Sequence, residues 1–245
     1  MSTNDRTALT EAKKSRSSKV IRSLAAIVDS VEEGWFFGRK VATSVLLSAA
    51  REMASRQGLP GSYARMFAPT GLDFRRGYRV FTGEPMRSRA GVAHILGEEC
   101  CRLLLDVKVR DRSVSAALAR TENGMLERLN SPESMRYNHV GFYCCGICTV
   151  SFWRNLAVGG LDRPGPRFKD GLQVLAGSRA DNGRWGRFPF FYTLLALTEI
   201  DVPAARSELR WARPAVERSL KAMRGTGRYT QRRRAVLEHA LERAA

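Results

Sequence analysis

The longest uncharged run in this chain, Tyr137 to Trp153, is shorter than the roughly 20 apolar residues that a spanning helix needs. It also holds Asn138, His139 and two glycines, so no transmembrane segment is expected. The opening residues, MSTNDRTALTEAKKSRSSK, lack the apolar stretch of a secretory leader. Cysteine is sparse: there are five, an odd number, all between Cys100 and Cys148. That argues against a disulfide framework and for a reduced, cytoplasmic setting. Apolar and polar residues nowhere alternate persistently, which excludes a sheet-built core. No serine sits in a G-x-S-x-G elbow. The sets Gly159-Gly160 and Gly183 to Gly186 follow no apolar strand and lack the Lys-Ser/Thr of a phosphate loop, so they read as helix ends and turns.

Acidic residues are also few, 24 against 41 Lys+Arg, for a formal net charge of +17. Such an excess favours polyanions, whether nucleic acid or an anionic membrane surface, although an arginine-rich proteome would produce it too. With 245 residues and 44% hydrophobic content the chain can bury a full core, and one domain is the default.

Residues 1–17 are polar, with Lys13, Lys14 and Arg16 close together, and read as a disordered basic tail. Val20, Ile21, Leu24, Ile27, Val28 and Val31 recur at helical spacing from Ser18 onward, with Gly34 as the stop. A second helix is expected from Arg39 to about Gln57, ended by Gly58 and Pro60. Glycines, prolines and isolated aromatics (Tyr63, Phe67, Phe74, Tyr78, Phe81) between Leu59 and Pro85 predict an irregular but packed connection. It separates an N-terminal part, 18–85, from a main domain, 86–245. Further helices are expected at about Met86 to Val107, Ser113 to Leu129, 142–158, 165–178, 188–200, 203–223 and 229–243. The fold class is all-α, built of antiparallel helical hairpins.

Residues 172–200 read LQVLAGSRADNGRWGRFPFFYTLLALTEI. Thr193 lies 44 residues after Thr149, and each follows an aromatic lead-in, Phe142 and Tyr143 before one, Trp185, Phe188 and Phe190 before the other. Hairpins repeated at this period hide their apolar faces against their neighbours. The pattern Leu172-x-x-Leu175, Arg179, Asn182-Gly183-x-Trp185-Gly186, Tyr192-Thr193, Ala196-Leu197 resembles the repeat of terpene cyclases and protein prenyltransferases, roughly L-x-x-L, Q or R, D-G-x-W-G, T-x-x-A-L. The match is good over 172–200 and weaker over 141–158. The resemblance implies a partial α/α toroid, two concentric rings of helices around an apolar cavity that receives an isoprenoid chain. The family's D-x-D-D and D-D-x-x-D motifs are absent, and no Asp lies two residues before any cysteine, as the zinc site of the prenyltransferases requires. The resemblance therefore carries a scaffold and not the family's catalysis.

Cys144 and Cys148 share a helix face at i, i+4, as Cys145 and Cys148 do at i, i+3, while His94, Glu98 and Cys101 lie on one face of the preceding long helix. Together they offer a mixed His/Glu/Cys set that would suit zinc or iron. The opposing reading, which the apolar run GICTVSFW favours, is that the thiols fill space in the core, so that no cofactor is required. His94 with Glu98 is also an acid-base candidate, with Cys148 as a candidate nucleophile, against the plain alternative of an intrahelical ion pair. From Arg206 to the C-terminus, eleven Arg or Lys face four Glu. Arg206, Arg210 and Arg213 around Trp211, with Arg232, Arg233 and Arg234, form a candidate nucleic-acid face whose simpler reading is a solvated outer surface.

Three functions stand open. The leading one is binding of an apolar, isoprenoid-like small molecule or a polypeptide in a concavity lined by Tyr143, Trp153, Trp185, Phe190 and Tyr192. The second is nucleic-acid association through the basic C-terminal face. The third is a metal-dependent enzyme at His94, Glu98 and the cysteines.

Overall fold

The computed structural model describes residues 23–134, 142–161 and 165–245. The basic tail, Val20, Ile21 and His139 lie outside them.

Ser23 accepts a hydrogen bond from the Ala26 N–H and so caps α1, Leu24–Phe36. The helix runs through Gly34 and stops at Gly38, whose φ of +64° only glycine adopts without strain. The Arg39 N–H closes back on the Gly34 carbonyl at 2.7 Å, a helix-ending bond that the apolar pattern alone does not place. The second helix, α2, spans Thr43–Ala54.

The connection expected between Leu59 and Pro85 is irregular and packed. Met66, Phe67 and Val80 are fully buried, and the segment carries a short helix, α3, Gly71–Arg76, and a two-stranded antiparallel ribbon of Tyr78–Arg79 (β1) with Pro85–Met86 (β2). Asp73 ties this segment to α1. Its carboxylate accepts from the Ser23 hydroxyl, the Leu24 and Ala25 N–H groups, and both the N–H and hydroxyl of Thr70. Burial alone would raise its pKa, but these bonds, led by Ser23 and Thr70, hold it below the ordinary aspartate value. A lowered folded pKa contributes stability that is present above the unfolded value and is lost as pH falls through the folded one. Asp73→Asn is therefore expected to cost about 3 kcal/mol at neutral pH. The cost should shrink toward zero in acid, as urea-unfolding midpoints measured from pH 7 down to pH 2 would report.

The long helix α4, Arg89–Val107, is capped by Ser88 and buries every residue from Val92 to Leu104. A helix buried on all sides lies at the centre of a core. Here α1, α2, α3, α5 (Arg112–Leu129) and α6 (Gly146–Ala157) all pack on it. The remaining helices are α7, Pro166–Ala176, α8, Phe190–Glu199, α9, Pro203–Ala222, and α10, Arg228–Arg243. In the row α1, α4, α6, α8, α10 each helix packs against the next, with α2 and α5 flanking one part and α9, carrying α7, flanking the other. The protein is all-α apart from the small ribbon. One apolar cluster runs from Leu24 to Ala244, so the segment before residue 86 shares a single core with the helices from α4 onward.

Thr149 and Thr193 occupy matching places. Each is fully buried and is the fourth residue of its helix. Each donates its hydroxyl to the carbonyl of the N-cap residue, Cys145 at 2.8 Å and Pro189 at 2.7 Å. In the Asn182-Gly183 turn, Arg179 and the Trp185 indole N–H both reach Glu208 of α9, at 2.7 and 2.9 Å, which pins the turn to the outer helix.

Five charged side chains meet in the core between α1, α4, α6 and α8. Arg154 donates to Glu32 at 2.6 Å, to Glu99 at 2.9 Å and twice to Glu199 at 2.7 Å. Arg102 donates to Glu32 at 2.7 Å and Glu99 at 2.8 Å. The Tyr192 hydroxyl also donates to Glu99.

Candidate metal centre

The chain from Phe142 bends at Cys144 and Cys145 and turns helical at Gly146. A Cβ at Gly146 would lie 2.0 Å from the Arg187 carbonyl oxygen, so only glycine lets this helix start approach the chain before α8 so closely. The Tyr143 N–H donates to Thr149 Oγ1 at 2.8 Å, and Phe142 meets Phe188 edge to face. The Cys144-Cys145-Gly146-Ile147-Cys148 turn is thereby fixed at both ends.

One His nitrogen of His94, from the first half of α4, and the sulfurs of Cys144 and Cys148 all lie within 4.8 Å of one another. A tetrahedral zinc with Zn–S near 2.3 Å and Zn–N near 2.0 Å sets its ligand atoms roughly 3.5–3.8 Å apart. Shifts of about an ångström would make the three converge on one ion. An imidazole with two thiolates is a donor set for zinc or iron. His94, Cys144 and Cys148 form a group that could hold a metal ion.

The surroundings orient these ligands. His94 Nε2 lies 3.1 Å from Glu98 Oε1, one turn along the helix, and both side chains are buried. A carboxylate on one ring nitrogen fixes the imidazole and leaves the other nitrogen for an ion. The second oxygen, Glu98 Oε2, is buried and has no hydrogen-bond partner among the described residues. The Tyr63 ring stacks on His94 with centroids 4.2 Å apart, and its hydroxyl meets that of Tyr143 at 2.6 Å. Arg128 donates to Tyr63 at 3.3 Å. Solvent reaches the group through Cys144, which is exposed.

The three thiols share their protons unequally. Hydrogen bonding among the sulfurs of Cys144, Cys145 and Cys148, helped by the N–H groups of Cys148 and Ile147 at the start of α6, holds Cys145 far below the usual thiol range. The same sulfur contacts push Cys144 up to about 11 and, together with burial, raise Cys148.

Among the residues singled out by spacing, His94, Glu98, Cys144 and Cys148 meet, with Cys145 beside them. Cys101 does not join: it is buried against Asn155, and burial pushes its thiol up to about 12. Space-filling describes Cys100, Cys101 and Cys148, and must be corrected for the exposed Cys144 and half-exposed Cys145. Spacing does not single out Tyr63 or Arg128 as site residues. Tyr63 shows in the sequence only as an isolated aromatic in an irregular stretch, and nothing in the pattern marks Arg128.

The five aromatics expected to line a concavity are all buried, and only Trp185 and Phe190 of them meet each other. Tyr143 packs on Tyr63, His94 and Phe152, Trp153 stacks on Phe188, Trp185 meets Phe190 and Trp211, and Tyr192 lies under Arg154. Three surface grooves, between α7 and α9, between the Asn182 turn and α9, and between α1 and α2, are lined by none of them. Helices packed in a row direct such side chains into successive interfaces, so these five are core residues.

The basic C-terminal candidates divide. Arg206 pairs with Asp201, Arg213 with Glu217, and Arg210 reaches Ser207, all near the surface. Arg232 is 1% exposed, bonded to Asp29, Glu33 and the Phe81 carbonyl, so it is a structural cation joining α10 to α1. Arg233 donates to the Thr82 carbonyl and Arg234 to that of Met223. The triple-arginine run is thus drawn into internal contacts, which corrects its reading as part of an exposed phosphate-binding face.

Compared with known proteins, the chain matches no family model, no curated protein and no solved structure.

Proposed function

We propose that this chain is a metal-binding helical protein that holds one zinc-class ion on His94, Cys144 and Cys148. The observation that carries this reading is the approach of three donor atoms, His94 of α4, Cys144 just before the N-cap of α6 and Cys148 within α6, to within 4.8 Å of one another. Three protein ligands leave a tetrahedral ion one open position, the count of catalytic rather than structural zinc sites, where a bound water becomes a nucleophile near neutral pH. With an ion bound, the exposed Cys144 would admit water, Glu98 would hold His94, and its unpartnered oxygen would be the candidate proton acceptor. The reading is thus a metal-dependent site, with the row of hairpins as its scaffold.

Zinc titration of the reduced, metal-stripped protein tests it. One equivalent is expected to bind, and Glu98→Gln, which keeps the shape but weakens the hold on His94, should lower the affinity about 10–100-fold. Uptake below about a tenth of an equivalent overturns the reading.

A second reading concerns the scaffold itself. The matching positions of Thr149 and Thr193, and the pinning of Arg179 and Trp185 on Glu208, support an array of the α/α-toroid kind that the repeat resembles.

A further inference from the structure

Cys145 is the N-cap residue of α6 and Cys148 its third residue, and their sulfurs lie 3.1 Å apart. A disulfide needs about 2.05 Å, so closing the pair takes a movement of roughly 1 Å. Cys145 is half-exposed and Cys148 is buried behind it. Of the two, Cys145 is therefore the sulfur that an incoming reagent meets first, and the inner sulfur lies close enough to resolve what forms there. The Gly146 contact with the Arg187 carbonyl holds the turn in this shape.

We propose that Cys145 and Cys148 are a redox-active dithiol that exchanges with low-molecular-weight disulfides. In the first step Cys145 gives up its proton and its sulfur attacks one sulfur of R–S–S–R. A Cys145–S–S–R bond forms, the R–S–S–R bond breaks, and RS⁻ leaves to take up a proton. In the second, Cys148 gives up its proton and its sulfur attacks that of Cys145. The Cys145–Cys148 disulfide forms and a second RS⁻ leaves and is protonated. The dithiol loses two electrons and two protons, and the co-reactant disulfide gains both. The chemistry does not rest on the metal reading, but the two meet at Cys148, because a sulfur in a disulfide is no longer a thiolate ligand.

Metal-stripped, reduced protein is incubated with oxidised glutathione, quenched with acid and mapped by mass spectrometry without reduction. The wild type is expected to accumulate the Cys145–Cys148 disulfide, Cys148→Ser to stop at a glutathione adduct on Cys145, and Cys145→Ser to form no Cys148 adduct. Cys101→Ala, at a thiol buried by Asn155 and outside the pair, should behave as wild type. An adduct confined to Cys144 in Cys148→Ser, a disulfide through Cys144 in the wild type, or no reaction at Cys145 would each overturn the proposal. One equivalent of zinc added beforehand separates the two readings. Slowed oxidation is expected where the ion occupies Cys148, whereas an undiminished rate counts against the ion and leaves the dithiol standing.

Discussion

Arg154→Met is expected to destabilise the protein by about 3–5 kcal/mol at neutral pH, the range for removing one member of a buried ion network. Arg154 is 1% exposed and supplies four of the six hydrogen bonds that the two arginines make to Glu32, Glu99 and Glu199. Without it the buried Glu32 and Glu99 face Arg102 alone, in surroundings too dry to solvate the excess charge, while the partly exposed Glu199 loses its partner to solvent. Methionine fills much of the volume, so the loss reports on charge more than on a cavity. The pH dependence has a definite sign. Burial already raises Glu32 above the ordinary glutamate value, and losing Arg154 removes its main counter-charge. A group whose folded pKa is raised contributes stability that is complete below its unfolded value and is lost as pH rises through the folded one. The deficit of Arg154→Met should therefore be smaller at pH 5 than at pH 8 in paired urea-unfolding curves. A deficit under 1 kcal/mol, equal at both pH values, would show that the network is energetically neutral.

Cys148→Ala is expected to weaken zinc binding by more than a hundredfold, beyond the roughly 10–100-fold that loss of an outer partner costs. Cys148 is buried in the third position of α6, so the change also removes packing, and a far-ultraviolet dichroism spectrum must first confirm the fold. Cys144→Ser, at an exposed position, avoids that difficulty and should weaken binding comparably. Cys101→Ala supplies the contrast. Its thiol lies by Asn155 and outside the group that His94 forms with Cys144 and Cys148, so zinc affinity should stay as in the wild type, although spacing on α4 alone would place Cys101 among the ligands. Competition titration against a chromophoric chelator measures all three.

The helices are legible in the sequence because their apolar residues recur at three- and four-residue spacing and their ends carry glycine and proline. From Arg112–Leu129 to Arg228–Arg243 the expected bounds fall within a few residues of those observed. The first helix differs at Gly34, which is buried inside the turn that packs on Val41 while Gly38 makes the stop. A glycine signals either close packing or an end, and sequence alone does not separate them. His94 with Glu98 is readable from its one-turn spacing. That the same histidine meets Cys144 and Cys148 depends on how α4 and α6 cross, which no local pattern encodes. The charged core is invisible for the same reason. Glu32 and Arg154 meet from 122 positions apart, and a lone Glu or Arg in a helix reads as surface. Arg232 shows it again, since in the run Arg232-Arg233-Arg234 only the first is fully buried, between α1 and the ribbon turn.

X-ray absorption at the zinc edge of the protein loaded with one equivalent tests the centre most directly. Zinc held by His94, Cys144 and Cys148 is expected to show two sulfurs near 2.3 Å and one imidazole nitrogen near 2.0 Å, with one further light atom. Loss of the imidazole scattering in His94→Ala should follow. A shell of oxygen and nitrogen alone, or of three or four sulfurs without imidazole, would contradict it.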